Sequence, residues 1–500
     1  MAGSFTAIQF SGGMNDWIHP SLLNTNVAAK LINAEVDNGK LKPIRQIYPQ
    51  KISDPVEYGH YGNRDRSVVK WYDRYYWSNN AALAEPFYGG NVENYLGIPY
   101  PAYSGENPNV SISTETPQNE EAGLSGIYKY CVCFVNENGW EGAPGSLDEY
   151  EKIISLSSQW ASITVTWNNE KVSYAKIYRT GDHGADFYCI GEIRQSGDSI
   201  IDKTDDTTLT MLNPLSTEDC YPPPEKGKFL CESGGVFFLA VGSLLYFSVQ
   251  GNPHAWPTLQ FLSFDDTITG IVPEFQGILV FTKNNAFRVV GADSPDTVTK
   301  TFLPGNHGCI NFRSIACVNN APVWLSNDGI CLWDGNTISI PSYQVLKTDF
   351  LQVKYAVSAN DRYYLFLVGE TIIFDRKNGD IFYRLNFSCD YAWYDPDNDI
   401  LYLQINNAVY QYGGGKNLTF EYLSPQIGGT ELSYKVFHEI LVSAKGDFQI
   451  SALVDDLEIL NQNLPQGRQR IKMPFSATGR FCQIQIKSNA EINEIALFYQ

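Results

Sequence analysis

Apolar residues in this chain arrive in short bursts of four to six, each closed by Gly, Asn or Asp. Bursts of that length with such boundaries read as strands joined by tight turns, not as helices. The pattern is clearest from Phe229 to Ser342. There Val236–Ala240 pairs naturally with Leu244–Ser248 across Val241-Gly242-Ser243. Ile278–Thr282 pairs with Ala286–Val290 across Lys283-Asn284-Asn285, and Pro322–Leu325 with Gly329–Trp333 across Ser326-Asn327-Asp328. The hairpins recur every ~40 residues, the period of propeller blades. A lone small sheet cannot bury both its faces, so such units must stack on one another.

The same grammar extends outward. Residues 67–80 (SVVKWYDRYYWSNN) predict an early blade hairpin turning at Asp73-Arg74. Asn24 to Asn33 predicts one short helix, and Leu41 to Ile44 an extended segment. After a loop-rich stretch at 82–121, seven or so short strands follow within ~100 residues, among them Tyr128–Val135, Ala161–Trp167, Tyr174–Arg179 and Phe187–Ile193. They predict a fibronectin III-like sandwich inserted into the propeller, closing near Asp202–Asp205 and followed by the stiff run Tyr221-Pro222-Pro223-Pro224. Further hairpins lie at 363–375 and 391–412, ending at Gly413-Gly414-Gly415, and strand-like segments continue to Tyr499. The expected fold is therefore all-β: a β-propeller with an inserted immunoglobulin/fibronectin III-like sandwich and a C-terminal β-sandwich or cap. The boundaries are 1–103 for an N-terminal segment and the first blade or blades, 104–222 for the insert, 223–415 for the remaining blades and 416–500 for the C-terminal β-rich domain.

Composition agrees. Aromatics make up 14% of the 500 residues and 41 glycines serve the turns, as inter-blade packing and many hairpins require. The formal charge of −19 argues against a basic face that wraps nucleic acid. The first ten residues lack Lys, Arg and a long apolar run, so no secretory signal is expected there. The most apolar run, Val236 to Phe247, is broken by Gly242 and Ser243 and is too short to span a bilayer. Ten cysteines form no CxxC pair, and several sit inside apolar strands, so buried reduced thiols are expected. Cys131 and Cys133 should share one face of a strand.

Candidate chemistry is sparse. The six histidines (19, 60, 183, 254, 307 and 438) show no metal-ligand spacing. Nucleophile elbows and phosphate-binding loops are absent from the sequence. Ser326-Asn327-Asp328-Gly329 with Trp333 resembles the Asp-box of sialidase propellers, S-x-D-x-G-x-T-W, with Gly one place early and Thr missing; such boxes stabilise turns. Trp71, Tyr72, Tyr75, Tyr76 and Trp77 could stack on sugars, or pack between strands as β-sheet aromatics usually do. Asp265-Asp266 and Asp455-Asp456 fall at turns, where carboxylates are solvated. No catalytic, cofactor-binding or metal-binding residue is assigned, and an enzyme is not expected.

Four stretches taken in order carry a resemblance. They are FSGGMNDWIHPSLLNTNVAAKLINAEVDNGKLKPIRQ, the insert from GIYKYCVCFVNENGWEGAPG to AKIYRTGDHGADFYCIGEI, PPPEKGKFLCESGGVFFLAVGSLLYFSVQGNPHAWP, and ILVFTKNNAFRVVGADSPDTVTKTFLPGNHGCINFRSIACVNNAPVWLSNDGICLWDG. Their order resembles the tail nozzle or hub proteins (tail tube-tip, DNA-stabilisation type) of short-tailed double-stranded DNA bacteriophages. The resemblance implies a hexameric virion component, assembled in the host cytoplasm. Such a component forms a channel for genome passage at the tail tip, touches viral DNA transiently and without sequence preference, and contacts tail fibres, adaptors or neighbouring tail rings. It implies no cofactor. A carbohydrate-binding or glycan-cleaving propeller, using the 71–77 aromatics or the Asp-box-like turn, is the alternative.

Overall fold

The computed structural model describes residues 4–49, 65–72, 74–80, 87–89, 93–117, 122–292, 294, 297–348, 350–406, 408–428, 433–474 and 477–500. Nearly all regular structure is strand, and the fold is a β-propeller with added sandwiches. Along the chain run successive blade sheets, each with its strands ordered as in the sequence. The first joins Arg66–Trp71, Arg74–Asn79, Phe87–Gly89 and Glu93–Tyr95; the second joins Lys228–Ser233, Val236–Val241, Leu244–Phe247 and Phe261–Ser263. The third runs from Ile268–Glu274 to Thr299–Leu303, the fourth from Ala316–Val318 to Ile338–Ser339, and the fifth from Val353–Ala359 to Ile381–Leu385. The sixth takes Tyr391–Asp395, Ile400–Ile405 and Ala408–Gln411, and is completed by Tyr48–Pro49, which precedes the first sheet in sequence. The hairpins expected at 236–248, 278–290, 322–333 and 363–375 all form.

The chain divides into two compact units. One comprises Arg66–Ile268 with Val289–Lys300. Here the insert is a sandwich hinged on one long strand, Lys152–Val165. Its first half pairs with Leu124–Val135, and its second half pairs with Val110–Glu115 on one side and Ser199–Asp202 on the other. Tyr130, Val132, Phe134, Ile163, Val165 and Ile177 fill the core between the two sheets. Arg179 is fully buried there, bonded to Asp202 at 3.0 Å and Asp206 at 2.5 Å, with the Tyr128 ring 4.9 Å away. Burying a guanidinium is costly unless it is paired in this way.

The other unit comprises Met1–Asp65, Thr269–Arg288 and Thr301–Gln500. Its C-terminal strands form a sandwich together with the start of the chain. Ser4–Ile8 lies antiparallel to the last strand, Ile492–Tyr499, with Ser4 opposite Tyr499 and Ile8 opposite Ile495. Ala34–Asp37 and Lys40–Pro43 extend the same sheet. Lys30–Ile32 is wedged between Ile381–Leu385 and Phe420–Leu423, fusing the fifth blade sheet to the second layer of the sandwich. Ile440, Val442, Ile495 and Leu497 from one layer meet Ile450, Ile484 and Ile486 from the other in one continuous core.

The helix expected over Asn24 to Asn33 does not form; the segment makes turns and then the strand Lys30–Ile32. Ala-Ala-Lys-Leu favours helix locally, but Leu31 is fully buried and Ala29 donates its N–H to the Leu423 carbonyl at 2.9 Å. Tertiary pairing overrides a propensity worth only tenths of a kcal/mol per residue.

Candidate functional site

The aromatic hairpin is a packing element. Tyr75, Tyr76 and Trp77 are buried, and Tyr76 packs with Leu230, Phe237, Leu239 and Trp256. The Trp71 and Tyr76 rings meet Phe237 edge-on with centroids 5.5 and 5.0 Å away. The next strand of the blades is held by polar bonds as well: Leu230 N–H donates to Ser78 Oγ at 2.9 Å and Phe229 N–H to Asn80 Oδ1 at 2.8 Å. Tyr72, at the turn, is 80% exposed and alone cannot sandwich a sugar ring. Asp73 lies outside the described residues.

The Asp-box-like turn is equally structural. Ser326 Oγ accepts from Asp328 N–H at 3.1 Å and donates to the Gly329 carbonyl at 3.2 Å. Gly329 sits at φ +131°, where a Cβ would lie 2.4 Å from Ser342 Oγ. That close approach lets Ile330 N–H donate to Ser342 Oγ at 2.8 Å. Trp324 is buried on Phe281, and its indole N–H donates to the His307 carbonyl at 3.0 Å. Conformational freedom at Gly329 is what this sequence supplies to the turn.

The remaining candidates scatter. His254 is buried beside Trp140 and accepts from Gly97 N–H at 3.1 Å; burial first, then the Arg74 charge, pushes its pKa down to about 3. His19 caps a short 3-10 turn, His183 pairs with Asp182, and His60 lies outside the described residues. Asp455 and Asp456 both occupy the left-handed region of a hairpin turn, and Asp455 accepts from the N–H groups of Arg480 and Phe481. None of the ten cysteines is joined in a disulfide, eight of them are buried, and burial raises the thiol pKa of Cys131, Cys133, Cys309 and Cys331. Cys131 and Cys133 do share one face, with Tyr178 and Phe187. Among the described residues no cluster of His, Cys, Asp and Glu could hold a metal ion. No helix among them is long and apolar enough to cross a membrane.

One feature escaped the sequence reading: a polar cleft of about 640 Å3 in the unit that holds the terminal sandwich. Arg362 anchors it, bonding Asp375 at 2.9 Å and Glu35 at 2.7 Å. Glu491 accepts from Lys445 at 3.0 Å and Lys40 at 3.2 Å, and although burial pushes its carboxyl up, the two ammonium groups hold it below the usual range. Lys42 is bonded to Asp37. Opposite charges in the lining are thus matched, Arg362 by two carboxylates and Glu491 by two ammonium groups, which stiffens it. The run Lys40-Leu41-Lys42-Pro43-Ile44-Arg45 was the available signal; reading it only as extended chain concealed its partners 400 residues away.

No family model matches the chain, and no curated protein does. Solved structures that it resembles include the WD40 domain of Pan2 from Neurospora crassa, at 7% identity and TM-score 0.28, covering 52% of this chain and 86% of that one. BamB from Moraxella catarrhalis matches at 10% identity and TM-score 0.24, over 61% of this chain and 97% of that one. An exo-β-1,3-galactanase from Phanerochaete chrysosporium matches at 7% identity and TM-score 0.21, over 91% and 99% respectively. At such scores none of these likenesses bears on function.

Proposed function

We propose that this chain is a structural subunit of a short bacteriophage tail, a nozzle or hub whose copies, six by the resemblance, ring a channel for DNA and offer their outer faces to fibres or neighbouring tail rings. The observation that carries the reading is where the candidate chemistry went. The aromatic hairpin and the Ser326 turn, which could have served a glycan, are consumed by packing, while the molecule keeps a charge of −19. A conduit needs a rigid scaffold and a wall that phosphates do not adhere to. Acidic groups repel a phosphate chain within a Debye length, about 10 Å at 0.1 M salt, so DNA slides without being held. Electrophoretic mobility of linear duplex DNA tests this. The account expects no retardation even at ~50 mM salt, where basic proteins bind strongly, and stable retention at ~150 mM salt would refute it.

A further inference from the structure

A shallow groove of about 540 Å3 crosses the terminal sandwich at the strand Phe448–Val454. Gln449 stands opposite Lys487 on one neighbouring strand and opposite Asn463 on the other, so the three side chains leave one face abreast. Asp447, Asn489 and the apolar pair Leu464 and Pro465 line the same groove. Strands hold Gln449, Asn463 and Lys487, with Phe448 buried beneath them, while Asp447, Pro465 and Asn489 flank the strand ends.

The chemistry of the lining is selective. Of the two charged groups in the lining, Lys487 faces Glu421 at 4.0 Å and Asp447 accepts from a backbone N–H, so neither stands open to a phosphate or a divalent cation. What remains is amide. A carboxamide both donates and accepts, which matches a hydroxyl that does the same. These amides have capacity to spare: Gln449 Nε2 donates to Asn461 Oδ1 at 2.9 Å, which leaves its carbonyl oxygen open. The side chains of Asn463 and Asn489 have no hydrogen-bond partner among the described residues. Asp447 is held in place by the Gln466 N–H at 3.1 Å.

We propose that this groove binds a neutral oligosaccharide. Its hydroxyls bond to Gln449, Asn463 and Asn489, and a pyranose C–H face rests on the exposed Pro465. The open shape suits a sugar chain lying across the sheet, not an enclosed monosaccharide. The site is separate from the propeller aromatics and does not depend on the tail assignment.

Saturation-transfer NMR of the full chain with maltohexaose, cellohexaose, chitohexaose and mannohexaose tests it. At least one should show transfer, and Gln449→Ala with Asn463→Ala should weaken that binding about fivefold or more, since each lost hydrogen bond is worth about 1 kcal/mol. Asn489→Ala, at a separate exposed position, should weaken it independently. Transfer from none of the four sugars overturns the proposal. So does binding that survives all three substitutions, or a preference for an anionic heparin hexasaccharide, which would mark Lys487 as a plain charge site.

Discussion

Arg384 Nη2 lies 2.8 Å from the Asp16 carboxylate, joining residues 368 positions apart in the chain. The same guanidinium bonds Glu370 at 2.7 Å and Thr348 Oγ at 2.6 Å, and it is 90% shielded from solvent. Asp16 meanwhile accepts from Lys347 N–H at 2.6 Å. This one cation therefore fastens the start of the chain to the fifth blade sheet. Arg384→Met strands two carboxylates and should cost about 3 kcal/mol in urea unfolding. A double-mutant cycle with Asp16→Asn should give a coupling of at least about 1 kcal/mol. Additive effects would mean the pair is decorative.

A second buried cation closes the insert. Arg179 and Asp202 are both fully shielded, and Tyr130 OH donates to the same carboxylate at 2.7 Å. Asp202→Asn should destabilise the protein by about 3 kcal/mol, because the buried guanidinium then keeps only Asp206 and the Tyr130 hydroxyl loses its ionised acceptor. Arg179→Lys should recover little, since the pair of acidic partners needs a planar fork. Thermal unfolding followed by near-ultraviolet circular dichroism reads both.

The buried His254 makes stability depend on acidity. In the folded chain its pKa falls to about 3 from 6.5, so between those values the unfolded chain binds the extra proton. Stability is then complete above pH 6.5 and declines as pH falls towards 3, by on the order of 2 kcal/mol at pH 5. His254→Asn retains an acceptor for Gly97 N–H and should flatten that slope in denaturant titrations at pH 5 and 7. An unchanged slope would assign the acid sensitivity to other groups.

Two glycines separate strain from space. Gly234→Ala introduces a side chain at φ +63° with nothing within 4 Å, and should cost about 1 kcal/mol. Gly329→Ala adds a clash with Ser342 Oγ to an unfavourable φ and should cost about 3 kcal/mol. Equal losses would show that the Ser326 turn relaxes freely.

What could be read from the sequence was what is local. Asn319-Asn320, Asn360-Asp361 and Asp455-Asp456 each place two residues at positive φ, the requirement of a two-residue hairpin, and Asn and Asp announce it in the sequence. The hairpins at 236–248 and 322–333 turn instead on single glycines at positive φ, Gly242 and Gly329. Pairing over long separations carries no local mark. Nothing in Ser-Phe-Thr-Ala-Ile states that it will lie against Ile495–Tyr499, and Lys30–Ile32 lay within a segment whose composition favours helix. The strand Leu457–Leu464 carries a weak mark of its own, because its Asn and Gln residues blur the alternation. For the same reason the polar cleft and the amide groove were invisible: each draws its lining from segments whose partners only the fold selects.

The most direct test of the tail-conduit account is the subunit number of the purified full chain, by native mass spectrometry with negative-stain imaging of the same sample. The account predicts a closed ring of six copies with a central opening. A chain that stays monomeric at ~50 μM and with its tail neighbours supplied, where any contact with a useful affinity would be filled, contradicts it.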